Sequence, residues 1–217
     1  HNRLLSIIGE VSGTSISFPG TQVYVSGDEN TNYNDICFFS DSSVNRVVIT
    51  YNQTSGSTGP YTISGAVNIS NPSSPTINFG AAVNLGISSD ILSPVLTYVP
   101  TDNVAVLSYV DTGNSNKGTS RIVSCSSGGV ISYAPTNYAD SPKFHDGNTL
   151  SGGVSTTYDS QNDKIIYAFE GNESDGRAVV GTINDAKNSI SFGSEVIFMI
   201  TNIQGSNNNP RIRASYD

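Results

Sequence analysis

One phrase recurs along the whole chain and limits what it can fold into: "SISFPG" around Phe18, "TINFGA" around Phe79, "VISYAP" around Tyr133 and "SISFGS" around Phe192, at intervals of 61, 54 and 59 residues. A second phrase keeps the same beat, "NRVVITY" ending at Tyr51, "NVAVLSY" at Tyr109 and "DKIIYAF" at Phe169, and a third places Tyr98, Tyr158 and Tyr216. Three anchors on one period mark a repeat architecture, in which a unit too small to bury its own faces is covered by its neighbours.

Each unit resolves into four short strand candidates, A to D, which in the third unit read "PTNYA", "GGVSTTYD", "KIIYAFE" and "RAVVGTIN". Gly, Asn, Asp and Ser clusters between them supply turn geometry. No stretch sustains an apolar period of 3.6 residues, so an all-β fold nearly free of helix is expected. Strand C is apolar with little alternation, as in Val47, Val48 and Ile49; a strand covered on both faces has that pattern.

Four-stranded antiparallel units repeated at this length predict a β-propeller of about four blades. Units are expected at roughly 18–78, 79–132 and 133–191, with 192–217 plus 1–17 forming a partial fourth whose open edge either closes with the termini, belongs to a longer array, or takes a strand from a neighbouring chain. The aromatic at Phe18, Phe79, Tyr133 and Phe192 is expected between adjacent blades, with the phrase opening each new one. A β-sandwich or β-solenoid is the competing architecture.

Composition narrows the partners. With 217 residues the chain can bury roughly 70% of its unfolded surface without a disulfide framework. Ten Lys and Arg face eighteen Asp and Glu, a balance that repels phosphate backbones and anionic lipid, so nucleic acid is not an expected partner. Charged residues are only 13% of the chain, so solubility rests on Ser, Thr, Asn and Gly, as on extracellular and virion surfaces. No apolar run approaches the ~20 residues of a membrane helix. The start at His1, with no signal-peptide pattern, reads as a processed protein or a piece of a longer one. Cys37 and Cys125 lack the spacing of zinc or redox motifs, leaving two free thiols or one Cys37–Cys125 bridge.

The stretches "VVGTINDAKNSISFGSEVIF" and "TTYDSQNDKIIYAFEGNESDGRAVVG" resemble tandem repeats of tail-fibre and other virion-surface proteins of bacteriophages and algal viruses. The resemblance spans essentially the whole chain and implies a β-propeller-type module on a virion or extracellular surface. The first and second units depart from it, with "CFFSDSSVN" and "LTYVPTDN" in place of the "YD…N" turn. It describes packing and implies no site residue.

Candidate sites therefore come from the residues. Long, dissimilar A–B links (Ser26–Asp35, Asn137–Gly153, Asn202–Pro210) are where recognition on a repetitive scaffold is expected. In the second, Tyr138 and Phe144 are suited to stack on a sugar, with Asp140, Lys143, His145 and Asp146 hydrogen-bonding its hydroxyls. His145 has no Ser or Cys motif beside it to make a triad. "DENTNYND" sets Asp28, Asn30, Asn32 and Asn34 at alternate positions in the manner of a calcium loop, but without the Gly and Glu that close an EF-hand. The turns Val110–Gly118 and Glu170–Gly176 resemble Asp-box turns without their Trp, and Arg46, Arg121, Arg177, Arg211 and Arg213 form no evident sialidase triad. Sequons stand at Asn52, Asn68 and Asn172. No cofactor is expected. The expected function is a non-catalytic fibre module that binds a host surface glycan or acts as a spacer, within a homo-oligomer or longer fibre. The alternatives are a self-assembling extracellular filament completed by strand exchange and, third, a propeller glycosidase with an acidic pair.

Overall fold

The computed structural model describes residues 3–25, 30–40, 45–56, 58–148, 153–171, 175–200 and 214–215. Four short strands come first: β1 (Leu5–Ser6), β2 (Glu10–Ser12), β3 (Ser15–Ser17) and β4 (Val23–Tyr24), with β1 on β4 and β2 on β3. Three five-stranded antiparallel sheets follow. Sheet 1 holds β5 (Thr31–Ser40), β6 (Asn45–Gln53), β7 (Gly59–Asn68), β8 (Thr76–Phe79) and β9 (Val83–Asn84). Sheet 2 holds β10 (Ile91–Val99), β11 (Val104–Asp111), β12 (Lys117–Cys125), β13 (Ile131–Ala134) and β14 (Lys143–Asn148). Sheet 3 holds β15 (Val154–Asp159), β16 (Lys164–Glu170), β17 (Gly176–Ile183), β18 (Ile190–Phe192) and β19 (Val196–Met199).

In each sheet three strands run in sequence order, and the last two lie end to end along the third: β8 and β9 on β7, β13 and β14 on β12, β18 and β19 on β17. The expected all-β class holds. Two finer expectations change. The repeated phrase forms β3, β8, β13 and β18, so it closes a sheet instead of opening the next; its alternation places it on the outer edge of the strand before it. "PTNYA", expected as strand A, contains a single 3-10 turn at Tyr138–Asp140 capped by the Asn137 side chain, because Asn favours that cap over an extended ladder.

The other two anchors also acquire causes. Asn103 and Asp163 sit at φ 52° and 56°, the left-handed residue that turns the chain into β11 and β16. The Tyr98 hydroxyl donates to Asn103 Oδ1 at 3.0 Å, and the Tyr158 hydroxyl to Asp163 Oδ1 at 2.7 Å. Tyrosine and turn residue recur together because one holds the other in a conformation most side chains resist.

The sheets meet through three apolar clusters. Val25 and Leu4 join the first strands to Ile49, Tyr51, Ile63 and Phe79 of sheet 1. Phe39, Val48 and Leu85 of sheet 1 meet Leu96, Leu107, Tyr109 and Val123 of sheet 2. Val106, Ile122 and Phe144 of sheet 2 meet Ile165, Tyr167, Phe169 and Phe192 of sheet 3. Every residue of β11 is buried, the doubly covered strand its apolar run implies. First strands lie side by side: Leu96 N donates to Asp35 Oδ2 at 2.7 Å, and Thr97 Oγ1 is 2.5 Å from Thr156 Oγ1. No closed ring is seen among the described residues.

Candidate functional site

The link 137–153, expected as a recognition loop, is partly β14. Strand pairing with Gly118 and Thr119 of β12 turns Phe144 inward, where it is 2% exposed and touches Tyr167, Phe169 and Phe192 with ring centroids 5.1, 5.2 and 6.3 Å away. A buried ring cannot stack on a sugar. His145 is buried too, with Nδ1 2.8 Å from Glu195 Oε1 and Nε2 without a partner among the described residues. Glu195 continues to Arg177 Nη1 at 3.1 Å, and Arg177 Nε donates to Asp175 Oδ1 at 2.9 Å. The chain His145–Glu195–Arg177–Asp175 therefore links sheets 2 and 3, and the Arg177 guanidinium holds the Asp175 carboxyl below its usual range.

The remaining candidates of the link fall on structural contacts or at the surface. Tyr138 donates to Asp111, and burial, then this bond, pushes its phenol upward. Asp140 Oδ2 accepts from Asn137 Nδ2 at 3.1 Å. Asp146 pairs with Lys117 at 2.9 Å, which lowers its pKa, and it stays exposed beside half-buried Lys143. The six residues share one stretch without converging on a pocket.

Sequence reasoning missed the main buried polar group. Arg121 is fully buried, with Nη1 donating to Leu85 O at 2.6 Å, Nη2 to Pro135 O and, at 3.2 Å, to Thr136 O, and its guanidinium 4.8 Å from the centre of the Tyr133 ring. Burial lowers its pKa, opposed by Tyr109, Tyr133 and Tyr138. Arg121 faces Leu107 in the register, the place Ile63 takes opposite Ile49 and Val179 opposite Tyr167. A charge at a position written apolar in both sister units was the legible signal. Among the described residues, the buried atoms Arg121 Nε and Asp111 Oδ1 have no hydrogen-bond partner. The group ties carbonyls of two sheets together.

Of the calcium candidates, Asn32 and Asn34 lie on β5, paired with Asn52 and Tyr51 across a bulge at Tyr33; Asn30 precedes that strand, and Asp28 falls outside the described residues. No group of three His, Cys, Asp or Glu able to hold a metal occurs among the described residues. Cys37 and Cys125 are free thiols. Burial, then Asp35 and Cys125, pushes Cys37 up to about 12, and burial raises Cys125, so neither is a ready thiolate. The Asn52 side chain is buried, donating to Ile91 O and accepting from Ile91 N, which leaves no room for a glycan. Asn68 is exposed, and Asn172 falls outside the described residues. No helix among them is long and apolar enough to cross a membrane.

Comparison with family models, curated proteins and solved structures gives no match to this chain.

Proposed function

We propose that this chain is a non-catalytic β-propeller-type module of a viral or phage surface fibre, acting as a rigid spacer at the virion surface or outside the cell. The observation that carries the reading is the threefold recurrence of one five-stranded sheet, stacked face to face with first strands adjacent. Ala214 N donates to Ser155 Oγ at 3.0 Å, much as Leu96 N donates to Asp35. Ala214 precedes Tyr216 as Leu96 precedes Tyr98, so Ala214 takes beside β15 the place that Leu96 takes beside β5, which supports continuation of the repeat and a radial arrangement. The spacer role is favoured over glycan binding because Phe144, His145 and Tyr138 are engaged in packing and internal hydrogen bonds. Among the acids, Asp111, Asp163 and Asp175 hold tyrosine or arginine partners instead of facing one another.

Two measurements test this. Low-resolution imaging of the dilute protein is expected to show the sheets turned about a common axis as part of a disc, and a two-layer slab contradicts the architecture. A glycan array is expected to stay blank; binding that disappears when Asn137–Gly153 is shortened makes the module a receptor-binding one.

A further inference from the structure

The joints between units follow one rule. After each strand-C anchor aromatic (Tyr51, Tyr109, Phe169) comes a residue paired with the third strand: Asn52 with Pro60, Val110 with Gly118, Glu170 with Gly176. Against these three positions lie equivalent apolar residues of the outer edge. Leu85 N donates to Pro60 O at 2.9 Å, the Phe144 ring covers Gly118 and the Phe198 ring covers Gly176, where an added Cβ would collide with either ring. Val25, whose N–H bonds Leu4 O at 2.9 Å, stands in the same place on the first strands.

These four residues are seats, and the phrase aromatics are what sits on them. Phe79 packs in the cluster of Val25, Tyr133 in that of Leu85, and Phe192 against Phe144. Occupied seats are buried, Val25 at 4%, Leu85 at 1% and Phe144 at 2% exposure. Phe198 is 52% exposed, and at the other end Phe18 is 57% exposed. Among the described residues, Phe198 has no aromatic on it and Phe18 has no seat. Val196, Ile197 and Met199 extend the apolar surface at one end, Val11 and Ile16 at the other.

We propose that the two ends are halves of one further joint, in which Phe18 of one copy of this chain docks on Phe198 of a second copy, head to tail. The occupant is specified because at three internal joints this chain already places a phrase aromatic in the cluster of the equivalent seat, in direct ring contact at Phe144. The surfaces differ, so the association is heterologous, and it propagates into a filament or closes into a ring of copies. The proposal deepens the fibre reading but does not depend on the module's ligand.

The test is sedimentation velocity of the 217-residue protein over a wide concentration series, with Phe18→Asp, Phe198→Asp and their equimolar mixture. Wild type is expected to form concentration-dependent oligomers, each variant to lose them, and the mixture to stop at a dimer, since only one joint per pair is intact. Both positions are more than half exposed, and circular dichroism checks that each variant keeps the strand spectrum. A wild type that stays monomeric, variants that still associate, or a mixture that stays monomeric would each overturn it. Closure within a single chain would give a monomeric wild type whose stability falls with either substitution. A monomeric disc would remove this joint and leave the spacer reading standing.

Discussion

β10 and β5 hold the same rank in successive sheets and differ in what covers them. On β10, Leu96 and Tyr98 face sheet 1 and pack in its shared core, while Val95 faces sheet 3. On β5, Phe39 and Cys37 face sheet 2, but Ile36 and Phe38, which occupy the register of Leu96 and Tyr98, are exposed. Among the described residues, the strands before β5 bring Leu4 and Val25 against Ile49, Tyr51 and Ile63 and nothing apolar against Ile36 and Phe38. Burial here belongs to the joint rather than to the sheet, and an apolar residue earns core status only where a neighbour is stacked on it.

The largest test of that contrast is a matched pair. Phe144→Ala is expected to destabilise by about 3–5 kcal/mol, as for a large buried aromatic, whereas the equivalent Phe198→Ala, measured in dilute solution, shifts the denaturant midpoint little. Equal losses at both sites would break the equivalence. The second test asks whether the buried charge distinguishes sheet 2 from its sisters. Arg121→Ile, which installs the residue sheet 1 uses, is expected to cost about 2–4 kcal/mol by stripping the Leu85, Pro135 and Thr136 carbonyls of their donor; a gain in thermal midpoint would mean that packing outweighs those bonds.

The smallest effect concerns the position that is Asn52 in sheet 1 and Glu170 in sheet 3. Asn52 both donates and accepts, whereas Glu170 is buried with neither oxygen hydrogen-bonded among the described residues, and burial raises its pKa above the ordinary 4.5. A carboxyl raised in the folded state stabilises less once ionised. Stability should therefore fall as pH rises from the unfolded value through the folded one, and stay lower above it. Glu170→Gln is expected to remove that slope and to add about 1 kcal/mol at neutral pH. A pH profile unchanged by the substitution would rule the group out.

Period, strand class and strand C were readable because they repeat local chemistry: apolar runs, a left-handed Asn or Asp, and the tyrosine that holds it. The outer edge was not. β14 reads as a loop because "KFHDGN" carries turn formers and pairs with β12 through two register shifts, so its inward Phe144 is visible only once β12 and sheet 3 are beside it. Likewise Thr31 to Asp35 reads as polar linker, although it begins β5. The polar side chains there mark an uncovered face. For the recognition residues, the same blindness made Phe144 and His145 look available when a neighbouring sheet had claimed them.

The interrupted fifth strand has one more consequence. Residues 80–82, 135–142 and 193–195 break each rim into two offset pieces, so no sheet presents an unbroken row of free amides and carbonyls on that side. On that rim a stray β-segment finds no long template to zip onto, which hinders cross-β polymerisation of a Ser- and Val-rich chain from that side. Growth by stacking stays open while accretion onto the last-strand rim is hindered.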